Sequence, residues 1–165
     1  RVHPCLVNKD SYIGNVNGVM NAVITEGEPV GESVLQGEGA GPGPTSSALM
    51  SDLLSILRGN IKFPFGIPNI KRKSIKVFNY DNYINSLYLR FEVKDKPGVL
   101  AQITNRLALK NISVERLIQI PNYKSKTASI VIITHKSKEL DAQHCINAIS
   151  KSKNILKYPT LIRLL

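Results

Sequence analysis

Tryptophan is missing from this 165-residue chain, and cysteine and methionine occur only twice each. Cys5 and Cys145 stand far apart with no CxxC partner, so the sequence signals neither a disulfide framework nor a cysteine-rich zinc site. A reducing, cytoplasmic setting is the expectation. Long apolar runs are lacking too: the stretch around Ile130 to Ile133 falls far short of the roughly 20 residues a membrane-spanning helix needs. No membrane partner is expected. The opening residues Arg1 to Val7 hold no apolar core followed by small residues, and so do not read as an export signal. The start at Arg1, in what looks like a strand, suggests a piece of a longer polypeptide. His3, His135 and His144 are scattered, with no pair at ligand spacing, so no metal site is expected. No Ser/His/Asp set, Cys/His set or acid/base carboxylate pair is visible, and no catalytic residue can be named.

What is present is ordinary globular composition, 42% hydrophobic and 21% charged, with a formal net charge of +10. The charge is unevenly placed. Residues 1–60 carry three basic against six acidic side chains, a net of −3, which leaves +13 for residues 61–165. Within that second half the cations are scattered through strands, loops and both helices, and the aromatics near them do not repeat as a base-stacking platform would. Solvated faces explain them, and no nucleic-acid partner is expected.

The composition shift divides the chain into residues 1–60, a basic linker at 61–85, and residues 86–165. The linker has prolines and glycines and, through Lys73, no acidic residue. Before it, Val2 to Val7 reads as a strand and Tyr12 to Gly18 as turns. Asn21 to Thr25 and Val30 to Gln36 form a hairpin across Glu26-Gly27-Glu28-Pro29. A helix follows, N-capped at Thr45 or Ser46, with Ala48, Leu49, Leu53, Ile56 and Leu57 on one face and its end near Gly59.

After the linker, Leu87, Leu89, Phe91 and Val93 alternate with polar residues at the period of a half-buried strand. Asp95-Lys96-Pro97-Gly98 turns into a helix carrying Val99, Leu100, Ile103 and Leu107. Strands are expected at Ile112 to Ile120, Thr127 to Thr134 and Tyr158 to Leu164, with Pro121 to Ser125 as a turn and a helix bearing Ala142, Cys145, Ile146 and Ile149 before the last strand. The order β-α-β-β-α-β with right-handed crossovers gives a ferredoxin-like sandwich. The whole chain is therefore α+β: a partial antiparallel or mixed sheet segment with a returning helix, then the βαββαβ domain. Tyr88, Val131 and Ile133 lie on the sheet face the helices do not cover, which points to dimerisation.

The stretch Gly37-Glu38-Gly39-Ala40-Gly41-Pro42-Gly43-Pro44 lies between a strand and a helix start, where main-chain amides can meet a phosphate. It is not the dinucleotide fingerprint, because Pro42 and Pro44 stand where the third glycine would fall. Two readings stay open from spacing: an anion cradle, or glycines that permit a close-packed crossing of two subdomains.

The ordered set Val2-His3-Pro4-Cys5-Leu6-Val7, Gly14 to Val23, the glycine-rich loop through Ala48, and Asp52-Leu53 resembles the end of the catalytic domain of homoserine dehydrogenases. The resemblance implies hydride transfer between L-aspartate semialdehyde or L-homoserine and a nicotinamide, NADP or else NAD, on the route to threonine and methionine. It places Gly39, Ala40, Gly41 and Thr45 beside the cofactor. The family's catalytic lysine and its nucleotide motif precede the matching region, so this chain is expected to be inactive alone. From Leu87 onward, Lys94-Asp95-Lys96-Pro97-Gly98-Val99-Leu100 and Asn111 to Glu115 resemble an ACT domain. That implies allosteric binding of an amino acid, threonine first, by Asp95, Gly98, Val99 and Leu100, with Ile112 and Ser113 facing the site from a paired copy. A homo-oligomer, at least a dimer through the ACT and catalytic sheets, goes with it. The competing reading is a stand-alone amino-acid-sensing or dimerisation module without catalysis.

Overall fold

A computed structural model describes residues 2–60, 66–74, 76, 79 and 82–165. Arg1 and ten positions of the expected linker, 61–65, 75, 77, 78, 80 and 81, lie outside the described residues. The chain divides into two compact units, Asn8–Val77 and a second made of Arg1–Val7 with Phe78–Leu165.

In the unit Asn8–Val77, strands β2 (Met20–Gly27) and β3 (Gly31–Glu38) pair antiparallel from Met20 opposite Glu38 to Gly27 opposite Gly31. The hairpin expected from sequence is there: β2 runs longer at both ends, and β3 starts one residue later and ends two residues later than expected. Helix α1 spans Pro42–Leu57. It begins earlier than the expected Thr45 or Ser46 cap, because two prolines in its first turn lose no hydrogen bond that the helix would have made. Gly41, with φ 113°, takes the capping position instead. The apolar stripe of α1 is exposed, and among the described residues of this unit none is buried.

The core belongs to the other unit. Its sheet runs β1-β9-β5-β7-β6, with β1 at Cys5–Leu6, β5 at Leu87–Lys94, β6 at Val114–Asn122, β7 at Thr127–Thr134 and β9 at Thr160–Leu164. Ile84–Asn85 (β4) and Ser137–Lys138 (β8) form a separate short ladder. The β-α-β-β-α-β order is realised, with helices α2 (Val99–Ala108) and α3 (Glu139–Ile149). Period-two alternation buries Leu87, Leu89, Phe91 and Val93 of β5 and Ile130 and Ile132 of β7 under Ile103, Leu107 and Ile146. Pro121, expected to break the chain direction, sits inside β6. An edge strand tolerates it, since no outer neighbour needs its missing N–H.

One pairing was not legible from sequence. β1 lies parallel to β9, Cys5 opposite Arg163 and Leu6 opposite Leu164, so the first residues join the ACT-like sheet rather than residues 8–60. A two-residue strand has too little pattern to name its partner.

Candidate functional site

The glycine-rich corner of the unit Asn8–Val77 splits by role. Gly39 donates its N–H to Val19 O at 3.1 Å, and a Cβ built there would fall 1.2 Å from Nδ2 of Asn21. The Gly39 amide is thus spent within its own unit, and its missing side chain leaves room for Asn21. Thr45 is turned inward to the helix: its N–H and its hydroxyl both donate to Gly41 O, at 3.3 and 2.8 Å. The main-chain amides of Ala40 and Gly41 are taken by no carbonyl among the described residues. They precede a 16-residue helix whose N-terminal end carries partial positive charge. Of the four residues expected to border a nicotinamide cofactor, Ala40 and Gly41 keep amides that can meet an anion.

The second site lies in the other unit, where β5 ends and α2 begins. Gly98 takes the left-handed conformation, φ 86° and ψ −14°, and turns the strand directly into the helix. A cavity of about 380 Å³ opens there, lined by Asp95, Gly98, Val99, Leu100, Gln119 and Ile130 among others. Its floor is apolar and its rim charged. Val99 N–H reaches Lys96 O at 3.4 Å and Gln102 N–H bonds Gly98 O at 2.9 Å, while the amides of Gly98 and Leu100 are taken by no carbonyl among the described residues. Asp95 Oδ1 accepts from Nε2 of Gln119 across the cavity mouth, at 3.4 Å. Free N–H groups at a helix start suit a carboxylate, and an exposed aspartate suits an ammonium. An α-amino acid carries both.

Four of the six residues expected at an effector site, Asp95, Gly98, Val99 and Leu100, therefore line one cavity. Ile112 and Ser113, expected to face the site from a paired copy, do not line it within this one chain. Ile112 is committed to its own core, and Ser113 O accepts the N–H of His135. Gln119 was missed from sequence, since a polar residue at an inward position of β6 reads as noise until β6 is placed beside β5 and β7.

Comparison with known proteins bears on both sites. The family model described as homoserine dehydrogenase matches residues 1–54, and that described as ACT domain matches residues 87–153. The homoserine dehydrogenase of Neisseria gonorrhoeae is 38% identical over 99% of this chain and 39% of its own length. That of Synechocystis is 33% identical over all of this chain and 39% of its own. The crystal structure of a homoserine dehydrogenase from Thiobacillus denitrificans superposes with a TM-score of 0.85 at 30% identity, covering 100% of this chain and 38% of that one. The chain spans about two-fifths of the length of the curated relatives it matches. Two family matches in one order, and relatives that align over nearly the whole chain, make it similar to the C-terminal region of homoserine dehydrogenases, with an ACT domain matched at residues 87–153.

Proposed function

We propose that this chain serves a nicotinamide-dependent homoserine dehydrogenase, contributing a cofactor-bordering loop and an ACT unit that binds an amino acid, threonine in the first instance, for feedback control. The observation that carries the reading is the cavity of amino-acid size at Gly98, lined both by Asp95 and by the start of α2, where the Gly98 and Leu100 amides are taken by no carbonyl among the described residues. The loop at Gly39 to Thr45 fits a cofactor's anionic part in one respect, the free amides of Ala40 and Gly41 ahead of α1. NADP, or NAD in its place, supplies or accepts the hydride when bound. This chain's share is to border the cofactor with backbone that has no side chain at Gly39 and Gly41. The residues that move protons precede the matched region by the family resemblance, so the 165-residue chain alone is expected to show no turnover of L-homoserine. A cytoplasmic setting goes with nicotinamide-linked amino-acid synthesis. Among the described residues no helix is long and apolar enough to cross a membrane.

The effector reading is tested by melting. L-threonine at 100 times its Kd stabilises the fold that binds it by about 2.7 kcal/mol. A dose-dependent rise in Tm of the ACT unit is the expected result. Gly98→Val forces a β-branched residue into the left-handed region and abolishes the rise. A rise that survives this replacement puts the ligand elsewhere.

A further inference from the structure

Residues that match the dehydrogenase family form the outer strand of the ACT unit. Cys5 and Leu6 pair with Arg163 and Leu164, and the N–H of Leu165 donates to Leu6 O at 2.9 Å. Arg163 is anchored in turn. Its guanidinium grips both carboxylate oxygens of Glu139, Nε to Oε2 at 2.6 Å and Nη2 to Oε1, with the two side chains only 11% and 10% exposed. The Glu139 carboxylate and burial act on Arg163 in opposite senses, and the hydrogen bond wins, pushing its pKa up. The pair is permanently charged on the arginine side. Glu139 opens α3, α3 packs on α2, and α2 begins at Gly98 beside the cavity.

We propose that the Glu139–Arg163 pair is the positioning element through which occupancy at Gly98 reaches β1, and with it the dehydrogenase-matching chain that continues from β1 at Asn8. The proposal rests on the effector reading above. A two-pronged guanidinium–carboxylate contact away from water tolerates little change of angle or distance, so β9 follows α3 when α3 shifts. Close packing between α2 and α3 passes on a displacement at the start of α2 rather than absorbing it. A rival path exists. β5 pairs directly with β9 from Leu87 to Arg90, and coupling along that ladder survives loss of the ion pair.

Hydrogen exchange on the full chain, with L-threonine as the probe, decides the matter. In the wild type, threonine slows exchange at residues 95–101 and also, by about fivefold or more, at residues 2–7 and 160–165, the low end of ordinary couplings between sites. In Glu139→Gln the slowing at 95–101 persists and the distant slowing disappears. Arg163→Lys, which keeps the charge and loses the fork, diminishes it, and carries the comparison should the glutamine variant fold poorly. A merely structural pair raises basal exchange and leaves the threonine-dependent difference intact, which overturns the proposal. Protection confined to 95–101 in the wild type also overturns it and leaves the effector reading standing. No protection at 95–101 overturns that reading and the proposal together.

Discussion

Glycines in this chain act through different physics, and substitution by alanine separates them. A Cβ on Gly14 falls 2.2 Å from Asn8 O and 2.9 Å from Cα of Lys9, both main chain, so the turn itself has to shift. Overpacking of that kind costs about 1–3 kcal/mol. At Gly39 the obstacle is the tip of the exposed Asn21 side chain, which swings aside cheaply. At Gly98 nothing lies within 4 Å of the added carbon, but φ of 86° leaves the left-handed penalty of roughly 1–2 kcal/mol. Urea unfolding is expected to rank Gly14→Ala as clearly more destabilising than Gly39→Ala. Equal losses would mean that Asn21 is held where it stands. The turn at Gly98 was readable as a helix start because Pro97-Gly98 stands just ahead of an apolar stripe at helical spacing. Gly39 was readable only as one glycine among several, since what it packs against is contributed from β2.

At the scale of elements, the two helices of the ACT unit meet through a polar contact inside an apolar seam. Cys145 Sγ on α3 donates to Arg106 O on α2 at 3.2 Å, with Lys110 and Asp141 paired at the rim at 3.3 Å. Burial pushes the Cys145 thiol above its ordinary value of 9.0; the Lys110 and Arg106 cations oppose the shift and the Asp141 carboxylate adds to it. A thiol whose folded pKa is raised contributes its stability in full below the unfolded pKa and loses it as pH climbs through the folded one. The unfolding free energy is therefore expected to fall more steeply above pH 9 in the wild type than in Cys145→Ala. Parallel slopes in urea titrations across that range would remove the thiol from the account. The helical spacing of Ala142, Cys145, Ile146 and Ile149 was visible in sequence. That Cys145 would bond a carbonyl of the other helix was not, because it depends on how α2 and α3 come together.

Across the whole molecule, the two edges of the sheet differ, with a two-residue strand at one and a nine-residue strand at the other. β1 covers β9, whereas β6 has no outer neighbour among the described residues, and Ile118 and Ile120 on it are 56% and 58% exposed. With Tyr88, Val131 and Ile133 they share the face the helices leave uncovered. An apolar face continuous with an open edge is the kind of surface a second copy covers. Self-association of the full chain is the expected outcome, and Ile118→Lys with Ile120→Lys weakens it by placing like charges on the seam. Sedimentation velocity over a concentration series measures this. An unchanged distribution in the double variant would move the contact to another surface.

By itself the sequence determined the order and type of the main elements in residues 86–165, the hairpin before them, the two glycine corners and the kinship they imply. Those features are written in local pattern: alternation of period two, apolar stripes at helical spacing, and turn residues whose backbone preferences act within a few positions. Tertiary structure alone decided that Cys5 and Leu6 join the last strand of the ACT unit, that Gln119 faces Asp95 over the cavity, and that Arg163 finds Glu139. Each of these contacts joins residues at least 24 positions apart. Their geometry is set by chain topology and packing, and no short-range preference encodes it.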